Sequence, residues 1–322
     1  MNAIVQHAYG SPDVLQLAEV PTPTPGDGEV LVRVRAASVN AGDWHLMRAD
    51  PFFLRLMYGG LLRPKHQKLG SDVAGTVEAV GPGVTAFEPG DDVFGDVSGY
   101  GFGAFAEYVA APTDAFVPLP AGAMYEQAAA VPVAGLAALQ ALRDDGGVGP
   151  GDRVLVNGAS GGVGTFAVQI AKHFGAEVTG VCSTRNVDLV RSLGADRVVD
   201  YTRADVTGRD ERYDLVLDAA AFRSPLAYRP LLAPGGAYVL IGGSTARFFQ
   251  TMLLGPWVRR HGIRMAVHVS KPNRDDLAVL KGLVERGAVT PAIDRTYPLA
   301  EVPDAIRRLE ARRVRGKVVI SV

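Results

Sequence analysis

The fold is decided by the stretch Val154-Leu155-Val156-Asn157-Gly158-Ala159-Ser160-Gly161-Gly162-Val163-Gly164. An apolar strand here runs into glycines and then into residues typical of a helix at 162–174. Glycines at such a turn let the backbone approach a pyrophosphate, whose charge is stabilised by the N–H groups at the start of the helix. The stretch therefore predicts a dinucleotide-binding parallel sheet, with a purely structural turn as the alternative. Counted from Gly158, its GxxGxxG spacing departs from the common GxGxxG spacing.

Strand and helix patterns alternate around this turn. Strands are predicted at 153–157, 177–182, 197–200, 214–219, 237–241 and 263–269, and helical segments at 125–142, 162–174, 186–193 and 225–232. Because strands that alternate with crossover helices form parallel sheets, we expect an α/β domain with a doubly wound parallel sheet at 125–289.

The flanking regions have a different pattern. Residues 29–36 alternate in polarity, 74–80 are rich in β-branched side chains, and Gly81-Pro82-Gly83 is typical of a turn. We therefore predict a β-rich, barrel-like first domain at 1–124. The tail at 290–322 does not extend the alternation, and we expect it to pack on this first domain.

Composition and charge exclude several classes of protein. With 322 residues, 48% of them hydrophobic and 21% charged, the chain is long enough for two domains and too apolar to be disordered. Its 33 Lys and Arg against 34 Asp and Glu give a net charge of −1, so no overall field directs it to nucleic acid or to a membrane. The single cysteine, Cys182, cannot form an internal disulfide, and the first residues carry no targeting pattern. We expect a cytoplasmic protein with neither a nucleic-acid nor a membrane partner.

The end of the second strand, 182–186, indicates which dinucleotide is bound. An acidic residue there would bond the ribose 2′-hydroxyl of NAD, whereas hydroxyl groups and a guanidinium hold the 2′-phosphate of NADP. The first carboxylate, Asp188, lies already inside the next helix, so NADPH is the predicted cofactor, held in part by Ser183, Thr184 and Arg185. Alternatively, Arg185 is a solvated cation and the two hydroxyl side chains cap a helix.

Eight short motifs follow one another along nearly the whole chain. They are AASVNAGD (36–43), LGSDVAGTV (69–77), GPGV (81–84), GDDV (90–93), AFAEY (104–108), PVAGLAAL (132–139), RTYPL (295–299) and RGKVV (315–319). In this order they resemble the zinc-free, quinone-oxidoreductase-like branch of the medium-chain dehydrogenase/reductase superfamily. The resemblance implies a GroES-like catalytic domain formed by both chain ends, an inserted Rossmann cofactor domain, and an active site in the cleft between them.

Zinc-dependent relatives place a cysteine where Asn40 stands here, and a histidine followed by glutamate where Ser71-Asp72 stands. The cysteine loop of their structural zinc site is absent as well, so we expect no metal. Without a Lewis acid, a simple alcohol or ketone is a difficult substrate, since the alkoxide lacks charge stabilisation. Hydride addition to an enone or a quinone leaves a delocalised charge instead. We therefore predict an NADPH-dependent reductase of a quinone or of the C=C bond of an α,β-unsaturated carbonyl compound.

By the resemblance, Asn40 lies near the nicotinamide ribose and the substrate, and Asp43 orders the same loop. The alternative is that both side chains bond loop backbone. Tyr58 and His45 are candidate proton donors, because the segment 44–62 corresponds to the substrate-facing region of the family. The apolar residues of 52–57 are expected to form a pocket wall or a lid, or else to pack in the core.

Further cofactor contacts follow from the resemblance. Tyr201 resembles the family tyrosine near the adenosine phosphate, and Gly242-Gly243 either approaches the nicotinamide or forms a plain turn. Asn186 replaces a lysine common in the family, and Lys317 is either a cofactor contact or a surface lysine. The predicted cofactor-binding residues are Ser160, Gly161, Gly162, Val163, Gly164, Ser183, Thr184, Arg185, Tyr201, Gly242, Gly243 and Lys317, and the predicted catalytic residues are Asn40, Asp43 and Tyr58.

Two other functions fit the sequence. One is a non-catalytic NADPH-binding sensor or structural protein, and the other is a zinc-free alcohol dehydrogenase that reduces carbonyl groups. The strand at 263–269 is expected at the sheet edge, where relatives dimerise, so a homodimer is predicted. Alternatively, Arg264 and His268 shield this edge in a monomer.

Overall fold

The computed structural model describes residues 1–57, 60–208, 210–259 and 262–322. Two compact units make up the chain: unit 1 contains Met1–Leu136 and Lys271–Val322, and unit 2 contains Ala137–Ser270. Unit 1 is therefore built from both chain ends, whereas unit 2 is one continuous segment. Within the described residues, no helix has both the length and the apolar character that crossing a bilayer requires.

The elements are numbered in chain order. The strands are β1 (Asn2–Gln6), β2 (Leu15–Glu19), β3 (Glu29–Val39), β4 (Asp72–Val80), β5 (Asp92–Asp96), β6 (Tyr108–Pro112), β7 (Phe116–Pro118), β8 (Arg153–Asn157), β9 (Glu177–Cys182), β10 (Arg197–Asp200), β11 (Tyr213–Asp218), β12 (Leu232–Leu240), β13 (Arg264–Val267), β14 (Ile293–Pro298) and β15 (Lys317–Ser321). The helices are α1 (Ala41–Arg48), α2 (Leu54–Met57), α3 (Tyr125–Ala129), α4 (Pro132–Gln140), α5 (Gly162–His173), α6 (Val187–Ser192), α7 (Thr245–Arg259), α8 (Arg274–Glu285) and α9 (Val302–Glu310). A π-helical turn covers Ala141–Gly146, and 3₁₀ turns cover Pro12–Val14, Ser98–Tyr100, Thr113–Ala115, Thr184–Asn186, Val206–Gly208, Pro225–Leu231 and Leu299–Glu301.

Unit 1 centres on the long strand β3. The larger sheet has the order β14-β15-β3-β4-β5-β7, with β6 also paired to β3, while β1 and β2 form a small separate sheet. A Cβ on Gly75 of β4 would lie 2.1 Å from the Arg33 carbonyl oxygen, so the close passage of β4 along β3 requires glycine. The predicted β-rich domain is confirmed, and the chain tail contributes β14 and β15 to its sheet.

Unit 2 contains a parallel sheet with the order β10-β9-β8-β11-β12-β13. Its strands are joined by crossover segments that include α5, α6 and α7. The doubly wound parallel sheet predicted from the sequence is thereby confirmed, as is the edge position of the last strand. Dimerisation along that edge stays a prediction.

Several boundaries differ from the sequence predictions, among them the first domain boundary, because unit 1 extends to Leu136 and not only to residue 124. The helical segment predicted at 125–142 is divided in two, because Pro132 begins α4 and proline has no N–H to continue α3. Strand β12 begins at Leu232, five residues earlier than predicted, because Leu232 pairs with Tyr213 before a bulge. Helix α8 belongs to unit 1 although the predicted boundary placed it in the cofactor domain: Arg274 Nε donates to the Phe116 carbonyl at 3.2 Å.

A buried carboxylate joins three strands of the parallel sheet at their carboxyl ends. Asp218 Oδ1 accepts hydrogen bonds from Asn157 Nδ2 at 2.7 Å and from the Ala220 N–H at 3.1 Å. Asp218 Oδ2 accepts one from the Tyr238 hydroxyl at 2.7 Å. Burial raises the pKa of Asp218 and also that of Tyr238. These bonds fix the strand ends from which the glycine-rich turn emerges.

We expect Tyr238→Phe to lower the free energy of unfolding by about 1–3 kcal/mol, because it leaves a buried carboxylate oxygen without its donor. Urea denaturation followed by circular dichroism measures the change. The matched control is Tyr228→Phe, because the two rings pack with centroids 5.6 Å apart and Tyr228 does not donate to Asp218. Equal destabilisation by both variants would contradict a specific role for the Tyr238–Asp218 bond.

Candidate active site

Asn40 lies in a cluster of polar side chains at one end of the unit 1 sheet. It follows β3, whereas Asp72 begins β4 and Lys317 begins β15. The antiparallel registers pair Ser38 with Asp72 and Val39 with Val318, so these strand ends meet. Sheet pairing therefore brings together residues that are far apart in sequence.

Four of these side chains form one hydrogen-bonded network. Lys317 Nζ lies 3.0 Å from Asp72 Oδ2 and also donates to Asn40 Oδ1. Asn40 Nδ2 donates to Asp72 Oδ2 at 2.8 Å, and Ser38 Oγ donates to the same oxygen at 2.5 Å. Asp72 Oδ1 accepts the Val133 N–H at 2.8 Å. Because an ammonium only donates and a carboxylate only accepts, these contacts determine which end of the Asn40 amide carries the oxygen.

The ion pair in this network is buried. The side chains of Lys317 and Asp72 are 2% and 0% exposed. Desolvating each charge costs several kcal/mol, so the two are tolerated in the interior only as a pair with further hydrogen bonds. The alternative that Lys317 is a surface lysine is wrong, whereas its predicted contact with a cofactor stays a prediction.

Asp43 orders the loop that carries Asn40. Its fully buried carboxylate accepts the Asn40 N–H at 2.7 Å and the Gly70 N–H at 3.2 Å. Burial raises the pKa of Asp43 to about 7, and the negative charge of Asp72 adds to this effect. The described contacts make Asp43 a positioning residue that acts through backbone, which agrees with the loop-backbone alternative.

Asp96 is a further buried acid beside the ion pair, since it is the register partner of Asp72 across β4 and β5. Burial raises the pKa of Asp96 to about 6, and the charge of Asp72 contributes. Asp72 and Asp96 were not predicted as site residues from the sequence. Asp72 had one signal, because it stands where zinc-dependent relatives have a glutamate.

The two candidate proton donors, Tyr58 and His45, differ in what the structure describes of them. Tyr58 lies outside the described residues, so its role stays a prediction. His45 stacks on Trp44, with ring centroids 3.6 Å apart, and its Nδ1 lies 2.5 Å from the Asp50 carbonyl oxygen. Because that oxygen only accepts, Nδ1 is the donor in this contact, and the role of His45 as a proton donor in the reaction stays a prediction.

The apolar segment near His45 borders a small cavity. Phe52 and Leu56 are exposed, so the core-packing alternative is wrong for these two side chains. Leu54 lines the cavity, as expected for a pocket wall. The lining residues are Gln6, Tyr9, Leu46, Ala49, Leu54, Pro64, Lys65, His66 and Leu69.

In unit 2, the predicted phosphate cradle forms the turn between β8 and α5. Gly161 is the N-cap of α5, and because it has no side chain, the first N–H groups of the helix, at Gly162, Val163 and Gly164, are open to an anion. A Cβ on Gly164 would lie 2.1 Å from the Gly158 carbonyl oxygen, so the approach of helix to strand requires glycine. The turn fits the pyrophosphate of a dinucleotide.

The end of β9 is hydrogen-bonded to this cradle. Asn186 Nδ2 donates to Ser160 Oγ at 2.9 Å and to Ser183 Oγ at 3.3 Å. Ser183 precedes the 3₁₀ turn without capping it through its side chain, so the helix-cap alternative for this hydroxyl is wrong. Asn186, which replaces the family lysine, thus connects the predicted pyrophosphate and ribose positions.

The predicted ribose position also includes an acid, Asp200, that was not predicted from the sequence. Asp200 ends β10, and its Oδ2 accepts the Thr184 hydroxyl at 2.6 Å. Hydrogen bonds from Thr184 and Thr202 hold the pKa of Asp200 below its usual value. Arg185 and Tyr201 follow β9 and β10, and both are exposed. They remain predicted cofactor contacts.

Gly242 and Gly243 follow β12. Gly243 has φ of 147°, and a Cβ there would lie 2.5 Å from the Ala221 carbonyl oxygen. The close approach of the Ala221 backbone is enough to require glycine at position 243, which agrees with the alternative of a plain turn. Contact of either glycine with a cofactor stays a prediction.

The residues present do not fit a zinc ion. Among the described residues, no group of three or more His, Cys, Asp or Glu side chains is placed to hold a metal. At the positions of the zinc ligands, the Lys317 ammonium contacts both Asn40 and Asp72, so a divalent cation would meet a positive charge. Cys182 is buried and its pKa is raised to about 11, so it supplies no thiolate near neutral pH.

Comparison with known proteins identifies the family. Residues 26–121 match the family described as "Alcohol dehydrogenase GroES-like domain", and residues 193–320 match the family described as "Zinc-binding dehydrogenase". A chloroplast envelope quinone oxidoreductase homolog from Arabidopsis thaliana is 32% identical over 100% of this chain and 98% of its own length. A trans-enoyl reductase from Aspergillus terreus is 34% identical over 92% of this chain and 87% of its own length.

A solved structure gives the same result. The Escherichia coli quinone oxidoreductase, complexed with NADPH, superposes with a TM-score of 0.83 and 25% identity, covering 100% of both chains. Both predicted domain types, the GroES-like catalytic domain and the Rossmann domain, are confirmed. The chain therefore belongs to the quinone-oxidoreductase-like branch of the medium-chain dehydrogenase/reductase superfamily, and it is an oxidoreductase.

Proposed function

We propose that this protein is a zinc-independent, NADPH-dependent reductase that transfers hydride to a quinone or to the C=C bond of an α,β-unsaturated carbonyl compound. One observation carries the proposal: the buried network of Asn40, Asp72 and Lys317 places an ammonium among the positions that hold zinc ligands in metal-dependent relatives. The names of the relatives agree with both acceptor classes, since one is a quinone oxidoreductase homolog and another a trans-enoyl reductase.

The network supports reduction of acceptors whose charge is delocalised. Lys317 is already offset by Asp72, so it provides a dipole and hydrogen bonds rather than the net charge of a metal. Such an environment stabilises a charge spread over an enolate or a hydroquinone anion better than the localised charge of an alkoxide. A simple ketone is therefore the poorer substrate.

Asn40 is the residue that we assign to the acceptor oxygen. One hydrogen of its Nδ2 is used by Asp72, whereas the other faces the Ser38 carbonyl at a long 3.5 Å. That second hydrogen can bond the oxygen of the substrate, because the contact it would give up is weak. Lys317 and Asp72 hold the side-chain amide of Asn40 in place, and Asp43 fixes the backbone that carries it. The amide is therefore already oriented when the reaction occurs.

The proposed cofactor is NADPH, which supplies a hydride from nicotinamide C4 when bound. The N–H groups at the start of α5 would hold the pyrophosphate. Arg185 and Ser183 would hold the 2′-phosphate, because Arg185 is exposed and adds a positive charge beside a neutral hydroxyl. Thr184 is the weaker of the three predicted contacts, since its hydroxyl donates to Asp200. The Escherichia coli relative that is complexed with NADPH supports this assignment.

The first experiment measures NADPH consumption by chelator-treated protein with quinones, enones and simple ketones, and identifies the products. We expect saturable reduction of a quinone or a C=C bond, at a rate that chelation leaves unchanged, because no step needs a metal. NADH is run in parallel as the cofactor control. Loss of turnover on chelation, with recovery on adding Zn²⁺, would contradict zinc independence; carbonyl reduction without loss of the C=C bond would contradict the acceptor class.

Asn40→Ala should lower kcat about 100-fold while the Kd for NADPH changes less than about twofold, because the lost donor acts on the acceptor oxygen. Steady-state kinetics and fluorescence titration with NADPH provide the two values. Ser38→Ala is the matched control, since it also removes a bond to Asp72 but leaves the amide in place. Unchanged kcat in Asn40→Ala, or an equal fall in Ser38→Ala, would rule out the assigned role.

Arg185→Ala should raise the Kd for NADPH about tenfold or more and that for NADH less than about twofold, because a charge-assisted bond to the 2′-phosphate is lost. Isothermal titration calorimetry with both cofactors measures the ratio. Arg191→Ala on α6 removes another exposed arginine and should leave both affinities unchanged. Equal weakening of both cofactors in Arg185→Ala would exclude 2′-phosphate recognition by this residue.

A further inference from the structure

Asp200 lies beside the end of β9, where the ribose of the dinucleotide is predicted to bind. In the parallel pairing of β9 with β10, Asp200 is the register partner of Cys182. The Tyr201 N–H donates to the Cys182 carbonyl at 3.0 Å, so the two strands stay paired to the last residue of β9. The carboxylate of Asp200 is thereby brought to the 3₁₀ turn Thr184–Asn186, which contains Arg185.

Three donors keep this carboxylate charged. Asp200 Oδ2 accepts the Thr184 hydroxyl at 2.6 Å, and Oδ1 accepts the N–H and the hydroxyl of Thr202 at 3.0 and 2.7 Å. These bonds hold the pKa of Asp200 below its usual value. Arg203 Nε lies 3.5 Å from Oδ2, but the arginine side chain is 77% exposed, so solvent screens much of this attraction. Near neutral pH, a negative charge therefore lies beside the turn after β9.

Local turn formation does not explain the bond between Asp200 and Thr184. The two bonds from Thr202 close a turn between residues i and i+2, which is a common arrangement of aspartate in loops. Asp205 forms the same turn, since its Oδ1 accepts the N–H and the hydroxyl of Thr207 at 2.9 and 2.8 Å. At Asp200, the second oxygen additionally receives a hydroxyl from the segment after β9. The contact with Thr184 is thus an addition to the turn.

The bond to Asp200 determines what the Thr184 hydroxyl can offer a ligand. A hydroxyl has one hydrogen, and that of Thr184 is donated to Asp200. The Thr202 hydroxyl lies 2.8 Å from the Thr184 oxygen, so the hydrogen of Thr184 is used within this cluster with either partner. Thr184 can therefore accept a bond from a ribose 2′-hydroxyl, but it has no hydrogen left for a 2′-phosphate.

Ser183 and Arg185 have the opposite character. Ser183 Oγ accepts a bond from Asn186 Nδ2 at 3.3 Å, which leaves the hydrogen of the serine for a phosphate oxygen. Arg185 is exposed and adds a positive charge. The turn after β9 thus combines two side chains suited to a 2′-phosphate with one hydrogen-bonded pair, Thr184 and Asp200, suited to a 2′-hydroxyl.

We propose that Asp200 is a specificity-determining residue that limits the preference for NADPH over NADH, so that NADH is bound as well. Its charge opposes the 2′-phosphate that Arg185 attracts, and through Thr184 it provides an acceptor for the 2′-hydroxyl of NADH. In NAD-dependent dehydrogenases an acid near the end of the second strand bonds this hydroxyl. Here the acid comes from the third strand of the domain and acts through a threonine. The inference rests on the proposed function, because it concerns the adenosine end of the NADPH site assigned there.

Isothermal titration calorimetry of the full chain with NADPH and NADH tests the proposal. Asp200→Asn keeps the size of the side chain and removes its charge, so the Kd for NADPH should fall about fivefold or more while that for NADH stays the same or rises. The matched control is Asp205→Asn, which removes a charge from the same kind of turn, where the second oxygen pairs with Arg223 in place of a threonine. An equal change of the two Kd values' ratio in both variants would overturn the proposal.

Two further variants test the hydroxyls without changing a charge. Ser183→Ala should raise the Kd for NADPH about threefold or more, because a donor to the 2′-phosphate is lost, whereas Thr184→Val should change it less than about twofold. Circular dichroism checks that every variant is folded. An equal loss of NADPH affinity in the two variants would overturn the proposal, because Thr184 would then donate to the phosphate.

Arg185→Ala separates failure of this inference from failure of the proposed function. If Arg185→Ala weakens NADPH binding, an unchanged ratio in Asp200→Asn, or a wild type that does not bind NADH, would overturn this inference and leave the NADPH site in place. No binding of either dinucleotide to the wild type would overturn both. A wild type that binds both dinucleotides and becomes more selective for NADPH in Asp200→Asn supports the inference.

Discussion

The buried ion pair between Lys317 and Asp72 is the constraint on which the catalytic unit depends. Neither charge is tolerated alone in the interior, so the strand that carries Lys317 must lie in register with the strands that carry Asn40 and Asp72. The pair thereby connects the two chain ends that form unit 1. It also gives the Asn40 amide a single orientation, because a donor fixes its oxygen and an acceptor fixes its nitrogen.

The parallel sheet also contains a buried carboxylate that fixes the backbone, but hydrogen bonds from neutral groups satisfy it in place of an ammonium. Asp218 is buried at the carboxyl ends of β8, β11 and β12, where Asn157, Tyr238 and a backbone N–H satisfy it. The strand ends are held by these bonds, so the glycine turn after β8 keeps its N–H groups directed outward without a capping side chain. In both units a satisfied carboxylate fixes the backbone from which a functional group projects.

The parts of the fold that the sequence predicts correctly are those decided by local pattern. The strands at 153–157, 177–182 and 197–200 match to the residue, because apolar runs bounded by turns leave little choice of register. Strand β12 was predicted too short because Pro234, Gly235 and Gly236 do not resemble a strand. Lys317 and Asp72 are 245 residues apart, so no local pattern could show that they pair; the same holds for Thr184 and Asp200, which meet across neighbouring strands.

An internal ammonium differs from a metal in a way that limits the proposed reaction. A zinc ion keeps an open position and a surplus of positive charge, so it stabilises a localised alkoxide directly. Lys317 is neutralised by Asp72. Burial, together with the charge of Asp72, raises the pKa of the neighbouring acids Asp43 and Asp96 to about 7 and about 6. A localised anion formed beside this cluster would face the same cost of a buried negative charge. An acceptor that spreads its charge over a conjugated system avoids most of it, which is why conjugation of the acceptor, more than its size, should decide whether it is reduced.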